Sequence, residues 1–206
     1  MIWSGYPFDL FIATVATTGV FYEWIKLSRR YKGWFFCGLI YLSFAMIGLG
    51  AYLVSHKRFF LGLLLTTWVT DSSAYLVGST WGGLKLAPSI SPNKTWSGSL
   101  GGLVIGTISG SFIFSFILTA DQTLAYRGAH LFATMIPLTA FFVVVAQAGD
   151  LLESWAKRSL GVKDSGNIIP GHGGFLDRLD SLIAIGFLLF LGIAFSHFIP
   201  VLARSM

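Results

Sequence analysis

Charged residues are scarce in this chain. They make up 11% of its 206 residues, whereas a soluble domain carries about 25%. Hydrophobic residues account for 54% of the sequence. A water-soluble globular domain is excluded by this balance, and the composition predicts an integral membrane protein.

Cysteine and several familiar motifs are also missing or nearly so. The single cysteine, Cys37, excludes an internal disulfide and lies in an apolar run, where we expect it to pack. The N-terminal sequence MIWSGYPF has no basic n-region, so we expect no cleavable signal peptide. The sequence contains no Walker A motif, kinase glycine loop, HExxH or D-G-x-x-A-R arrangement.

Six apolar segments each approach the roughly 20 residues that a membrane-spanning helix needs. We therefore predict an all-α, polytopic membrane protein with about six transmembrane helices, one domain over residues 1–206, and a polar pocket on the cytoplasmic side. The segments are Phe8–Leu27, Trp34–Val54, Phe59–Ser79, Ser99–Thr119, Leu131–Leu152 and Leu182–Leu202.

The basic residues predict the orientation of these segments. Ten of the fourteen lysines and arginines fall in the loops after the first, third and fifth segments. The positive-inside rule places those loops in the cytoplasm and both termini outside. The net charge of +5 suits anionic lipid or phosphate ligands, so we expect no nucleic-acid partner.

Asp71 lies deep in the third apolar segment. A carboxylate at that depth faces the bundle interior or a wet cavity, as a structural group or as a ligand. The loop after this segment contains several hydroxyl side chains and a lysine. Such a composition is typical of a phosphate site, but an ordinary loop can also have it. The polar residues of this loop are Ser89, Ser91, Asn93, Lys94, Thr95 and Ser97.

The stretch from Gln147 to Asp180 holds five of the nine acidic residues. On a helix, Gln147, Asp150 and Ser154 share one face and present the oxygen ligands that Mg²⁺ prefers. Asp177, Asp180 and Ser181 stand just before the sixth segment, at the start of its helix, either as ligands or, for the two acids, as charges that complement the helix dipole.

Further polar residues of this stretch leave their roles open. His172 could donate to a phosphate, act as an acid or fix the glycine-rich turn around it. Lys157, Arg158 and Lys163 are phosphate partners or plain positive-inside residues. Together these residues predict a phosphoryl or nucleotidyl transfer site that uses a metal and fixed cations. Glu23, in the first segment, is expected at the membrane interface near Lys26, with membership of a site as the alternative.

The residues from Ser154 to Asp180, SWAKRSLGVKDSGNIIPGHGGFLDRLD, resemble the signature of the phosphatidate cytidylyltransferase family. Asp71–Gly78 and Leu86–Gly98 also resemble that family. Ser97 stands where the family usually has glutamate, and Ser79 where arginine is common. Family members often carry further membrane helices before the part that corresponds to this N-terminus.

The resemblance implies that CTP and phosphatidate react to give CDP-diacylglycerol and pyrophosphate, with Mg²⁺ and room for a second cation. It also implies a homodimer in the bacterial inner membrane, with its active site facing the cytoplasm. The implied metal ligands are Asp150, Asp177 and Ser154. The implied catalytic residues are Asp150, Asp177, Lys163, Arg178 and His172. The implied substrate contacts are Asp71, Ser91, Lys94, Thr95, Lys157, Arg158, Asp164 and Asp180.

Other functions remain open from the residues alone. A related enzyme could use CTP with a different lipid, as a CDP-archaeol synthase does, or could be a polyprenol kinase. A transporter would use buried carboxylates for ion coupling, but its paired broken helices are not evident in the sequence. A structural membrane scaffold would not need the polar stretch.

Overall fold

The computed structural model describes residues 6–119, 128–168 and 173–204. Six helices in the described residues are long and apolar enough to cross a membrane, which confirms the predicted all-α integral membrane protein. In chain order the elements are α1 (Tyr6–Ser28), α2 (Lys32–Ser55), α3 (Lys57–Trp81), β1 (Lys85–Ala87), β2 (Ser91–Thr95), α4 (Trp96–Thr119), α5 (Gly128–Ser159) and α6 (Leu176–Arg204).

Each predicted apolar segment falls inside one of these helices, and the helices extend beyond the segments. The largest extensions are at the end of α5, which continues past Leu152 to Ser159, and at the start of α6, which begins at Leu176. Apolar length measures what crosses lipid, whereas a helix continues until a backbone signal stops it. The polar residues near both ends are therefore helical.

The segment between α3 and α4 forms a small antiparallel hairpin that the sequence did not indicate. Lys85 lies opposite Thr95, and Ala87 lies opposite Ser91. Gly82 caps the C-terminus of α3; it has a φ of 60°, and its N–H donates to the carbonyl of Gly78. Glycine adopts this left-handed conformation without a Cβ penalty, so the chain can turn sharply from α3 into β1.

The described chain forms two compact units. We call residues 1–50 with 156–206 the terminal unit and residues 51–155 the central unit. Helices α2 and α5 contribute residues to both. The prediction of one catalytic domain over 1–206 stays a prediction.

The terminal unit has an apolar core drawn from α1, α2, α6 and the end of α5. Its buried members are Val20, Trp24, Leu42, Ala45, Ala156, Leu160, Leu176 and Ile183. The Trp24 indole N–H donates to the carbonyl of Phe35 over 3.3 Å, which satisfies the polar atom of a largely buried ring. Cys37 does not join this core. It is exposed on α2, so the expectation that it packs is wrong.

In the central unit, α3 and α4 approach closely through small residues. Glycines recur at every fourth position along α4, and a Cβ added to any of them would contact the facing side of α3 within 3.0 Å. Small residues allow such backbone contact between membrane helices. The glycines are Gly98, Gly102, Gly106 and Gly110, and they meet Ala74, Thr70 and Thr66 on α3.

Backbone contact in the terminal unit gives a testable prediction. A Cβ at Gly48 would collide with the carbonyl oxygen of Gly186 and would lie 2.8 Å from the amide nitrogen of Phe190. Backbone atoms cannot rotate away, so we expect Gly48→Ala to lower the free energy of unfolding by about 1–3 kcal/mol. Thermal unfolding in detergent measures this change.

Gly50, two residues further along α2, is the matched control. A Cβ there would meet nothing within 4 Å. Alanine is the better helix former by about 0.5–1 kcal/mol, so Gly50→Ala should leave stability unchanged or raise it. Equal destabilisation by both substitutions would show that the Gly48 contact is not the cause.

Candidate active site

Three residues from distant parts of the sequence come together in the central unit. The Lys94 ammonium, on β2, forms an ion pair with the Asp150 carboxylate on α5. Asp71, on α3, interacts electrostatically with both. The side chains of Lys94 and Asp150 remain 27% and 30% exposed. This cluster is therefore only partly enclosed by the protein.

Gln147 holds the helix that carries Asp150 against the start of α4. Its amide nitrogen donates to the carbonyl of Ser99 over 3.1 Å, and the Ser99 hydroxyl donates to its amide oxygen. The sequence placed Gln147 on one face with Asp150 and Ser154, and the structure uses its amide as a link between helices. Ser154 lies one turn beyond Asp150 and is half-buried.

Thr95 and Ser97 organise the junction between the hairpin and α4. The buried Thr95 hydroxyl accepts a hydrogen bond from the N–H of Gly98 over 3.1 Å, which is the geometry of a helix N-cap. It also lies 3.0 Å from the Ser97 hydroxyl, which donates to the carbonyl of Gly82. Thr95 therefore holds the backbone next to Lys94. The predicted substrate contacts of Thr95 and of the half-buried Ser91 stay predictions.

A second polar cluster lies in the terminal unit around Asp177. Its carboxylate accepts hydrogen bonds from the Lys157 ammonium at 2.6 Å, the Gly174 N–H at 2.9 Å and the Ser165 N–H at 3.1 Å. The Lys157 and Asp177 side chains are 13% and 14% exposed. This pair is thus more enclosed than the Lys94–Asp150 pair, and its carboxylate is held by several donors.

The end of α5 is fixed by a glycine. Gly161 has a φ of 75°. Its N–H donates to the carbonyl of Arg158 at a distance of 3.0 Å, and the Val162 N–H donates to the carbonyl of Lys157 at the same distance. This is the Schellman pattern that ends many helices. The Arg158 guanidinium donates to the carbonyl of Val162, so Arg158 also stabilises this turn.

Glu23 has a role in the folded chain that differs from the one its sequence position predicts. Its side chain is 1% exposed, and it accepts hydrogen bonds from the Ser165 hydroxyl and from the N–H groups of Phe175 and Leu176. The expectation of an interfacial residue near Lys26 is therefore wrong. A charge inside an apolar segment was the signal for an internal role.

The remaining predicted residues are distributed as follows. Lys163, Asp164 and Arg178 are exposed. Asp180 is half-buried, and its carboxylate accepts a hydrogen bond from the Ser181 N–H at 2.6 Å. His172 lies outside the described residues. Asp150 and Asp177 belong to different compact units.

The described residues include no group of three or more His, Cys, Asp or Glu side chains able to hold a metal ion. Mg²⁺, however, is commonly bound through one or two carboxylates, with water and substrate phosphates completing its shell. Asp150 beside Asp71 provides such carboxylate oxygens in the central unit, and Asp177 provides them in the terminal unit. The donor chemistry of each cluster fits Mg²⁺.

Residues 1–196 match the cytidylyltransferase family. The chain belongs to this family. Catalogued bacterial relatives support the assignment and bear the name phosphatidate cytidylyltransferase. The relative from Brucella abortus biovar 1 is 41% identical over 164 residues, which is 78% of this chain and 57% of the relative.

Two further relatives extend the comparison. The Bacillus subtilis protein is 48% identical over 130 residues, covering 63% of this chain and 45% of that protein. The Rickettsia bellii protein is 35% identical over 193 residues, covering 92% and 81%. The chain thus spans 57% of the length of the Brucella relative that it matches.

The N-cap of α4 provides a second prediction. Thr95→Val keeps the size of the side chain and removes the hydroxyl that binds the Gly98 N–H. We expect a loss of about 1 kcal/mol in unfolding free energy, measured by thermal unfolding, and near-complete recovery in Thr95→Ser.

Thr80→Val is the control for this substitution. The Thr80 hydroxyl is exposed and donates to carbonyls of its own helix, those of Leu76 and Val77. These carbonyls already accept helical hydrogen bonds, so its loss should change stability little. A Thr80→Val effect as large as that of Thr95→Val would contradict the capping role.

Proposed function

We propose that this protein is a phosphatidate cytidylyltransferase, which transfers the cytidylyl group of CTP to phosphatidate and forms CDP-diacylglycerol and pyrophosphate. The main support is the Lys94–Asp150 ion pair beside Asp71, in a chain that belongs to the cytidylyltransferase family. The names of the relatives support phosphatidate as the lipid acceptor.

The chemistry of the reaction explains why such a site needs cations. A phosphate oxygen of phosphatidate forms a bond to the α-phosphorus of CTP, and the bond from that phosphorus to the bridging oxygen of pyrophosphate breaks. The attacking group is already an anion, so a strong general base is not required. The barrier comes largely from repulsion between two polyanions, which fixed positive charges reduce.

Lys94 and Lys157 are suited to provide these charges. Each ammonium is held by a carboxylate, Asp150 and Asp177 respectively, so its position is set before substrate binds. Preorganised charge stabilises a transition state without reorganisation during the reaction. The more accessible Lys94 is the better candidate for direct contact with CTP phosphates.

Mg²⁺ is the proposed cofactor, with Asp150 and Asp177 as ligands and Ser154 assisting. When bound, the ion would neutralise charge on the transferring phosphate. The oxygen donors around Asp150 support its assignment as a ligand, and those around Asp177 support the assignment of Asp177. The proposal also allows a second cation to bind.

The location and assembly follow from the reaction and the charge pattern. CTP is cytosolic, and the basic loops predict that the polar residues between the helices face the cytoplasm. The protein would therefore work in the bacterial inner membrane, receiving CTP from the cytoplasm and phosphatidate from the bilayer. A homodimer is proposed from the family resemblance.

The proposed ligands lead to a direct activity test. Purified protein in detergent, given labelled CTP, phosphatidate and Mg²⁺, should form CDP-diacylglycerol. We expect Asp150→Asn and Asp177→Asn each to reduce turnover by at least about 100-fold, because each removes a charge that would hold Mg²⁺. EDTA should abolish activity, and added Mg²⁺ should restore it.

Asp9→Asn, on α1, is the matched control, and it should retain wild-type activity. Product formation that survives both Asp150→Asn and Asp177→Asn would overturn the metal assignment and leave the function standing. If the protein forms no product with phosphatidate but does form product with another lipid phosphate, phosphatidate is not its acceptor and the other lipid takes that place in the proposal.

Lys94 gives a separate prediction about CTP binding. Lys94→Met removes the ammonium and keeps most of the side-chain length. We expect the KM for CTP to rise about 10–100-fold, the range for losing a hydrogen bond to a charged group. Because the ion pair is partly exposed, its loss should change thermal stability little.

Lys32→Met, an exposed position in the first turn of α2, controls for the general loss of positive charge. Equal changes in KM from Lys94→Met and Lys32→Met would indicate a long-range charge effect and would contradict direct contact by Lys94.

A further inference from the structure

Glu23 is a buried charge that the transfer chemistry leaves unexplained. Its side chain is 1% exposed and lies in α1 between the buried Val20 and Trp24. Burial of a carboxylate is costly unless hydrogen bonds replace its lost hydration. Its donors are the Ser165 hydroxyl at 3.0 Å, the Phe175 N–H at 3.1 Å and the Leu176 N–H at 2.9 Å.

These donors show that Glu23 caps a helix other than its own. Leu176 is the first residue of α6, and the first N–H groups of a helix have no partner within that helix. A negative charge at this end also interacts favourably with the helix dipole. Glu23 therefore fixes the start of α6 from a position 153 residues earlier in the chain.

Asp177 binds the same part of the chain as Glu23, at Ser165 and at Gly174. Ser165 donates its hydroxyl to Glu23 and its N–H to Asp177. Gly174 donates its N–H to Asp177 over 2.9 Å. One carboxylate from α1 and one from α6 thus hold the backbone at the same two places, near Ser165 and near Gly174.

Two glycines make room for the Glu23 carboxylate. A Cβ at Gly174 would overlap both Glu23 and the Ser165 hydroxyl, and a Cβ at Gly166 would lie 2.8 Å from a Glu23 oxygen. One turn before Glu23, the ring of Phe175 packs against Gly19, where an added Cβ would lie 2.5 Å from it. Helix α1 therefore locates this segment by shape as well as by charge.

We propose that Glu23 is a positioning residue for Asp177: by binding Ser165 and the first amides of α6, it fixes the orientation in which the Asp177 carboxylate is presented. This inference rests on the proposed function, in which Asp177 is a ligand of Mg²⁺. Glu23 acts through the segment and does not itself contact the substrate.

Glu23→Gln is the principal variant. The amide keeps the size of the side chain but replaces one acceptor oxygen with an NH₂ donor that faces other donors. We expect the Mg²⁺ concentration for half-maximal activity to rise, or turnover to fall, by about 10–100-fold, as when a partner that orients a metal ligand is lost. Glu23→Asp, which retains the charge, should recover part of this loss.

Ser165→Ala tests the route of the effect. It removes the hydroxyl that links Ser165 to Glu23 and leaves both carboxylates in place. We expect a smaller effect of the same kind, and we expect the double variant Glu23→Gln/Ser165→Ala to lose less than the product of the two single losses. Residues that act through one network are coupled in this way.

A second measurement does not depend on catalysis. Hydrogen–deuterium exchange of the intact protein in detergent should be faster in Glu23→Gln for peptides that contain residues 165 and 174–177. Peptides from α4 should exchange as in the wild type. Asp9→Asn, which makes the same chemical change on the same helix, should alter neither exchange nor Mg²⁺ dependence.

The outcomes separate this inference from the proposed function. If wild-type protein forms no CDP-diacylglycerol, the proposed function fails. Hydrogen–deuterium exchange of the peptides that contain residues 165 and 174–177 then decides alone whether Glu23 holds the backbone around Asp177. If Glu23→Gln retains wild-type Mg²⁺ dependence and exchange, the inference is overturned. Should Glu23→Gln not fold, Glu23→Asp and Ser165→Ala give the same two measurements, and wild-type values in both variants overturn the inference.

Discussion

The desolvation of charge is the constraint on which the polar architecture of this protein depends. A carboxylate among apolar helices is tolerated only when cations or N–H donors replace its hydration. Glu23 and Asp177 are the enclosed cases: Glu23 is surrounded by a hydroxyl and two backbone amides, and Asp177 is paired with Lys157. Each of these two acids therefore fixes a second part of the chain. The Asp150–Lys94 pair is partly exposed and depends less on this constraint.

Small residues provide the complementary constraint. Close contact between α3 and α4, and between α2 and α6, depends on glycines at which a side chain would collide with neighbouring atoms. In the central unit this contact brings the end of α3 close to the start of α4 and thereby orders the hairpin that carries Lys94. Apolar packing and polar chemistry are thus coupled through a few positions that lack a side chain.

Much of the fold could be predicted because its signals are local. An apolar run of sufficient length identifies a membrane helix on its own, and all six runs proved to be helical. The hairpin between Lys85 and Thr95 was missed, because its strands have three and five residues, include Pro92 and lack an alternating apolar pattern. The role of Glu23 was missed because its partners lie more than 140 residues away.

The class of the protein, the six helices of the described residues and the residue types of the chemistry could all be predicted from local patterns, since hydropathy and motif spacing are properties of neighbouring residues. The sequence also supplied the resemblance that the family match confirmed. Four contacts became known from the folded structure alone: Lys94 pairs with Asp150, Lys157 pairs with Asp177, Thr95 caps α4, and Glu23 caps α6. These pairings depend on which helix faces lie in contact, and that is a property of packing rather than of local sequence.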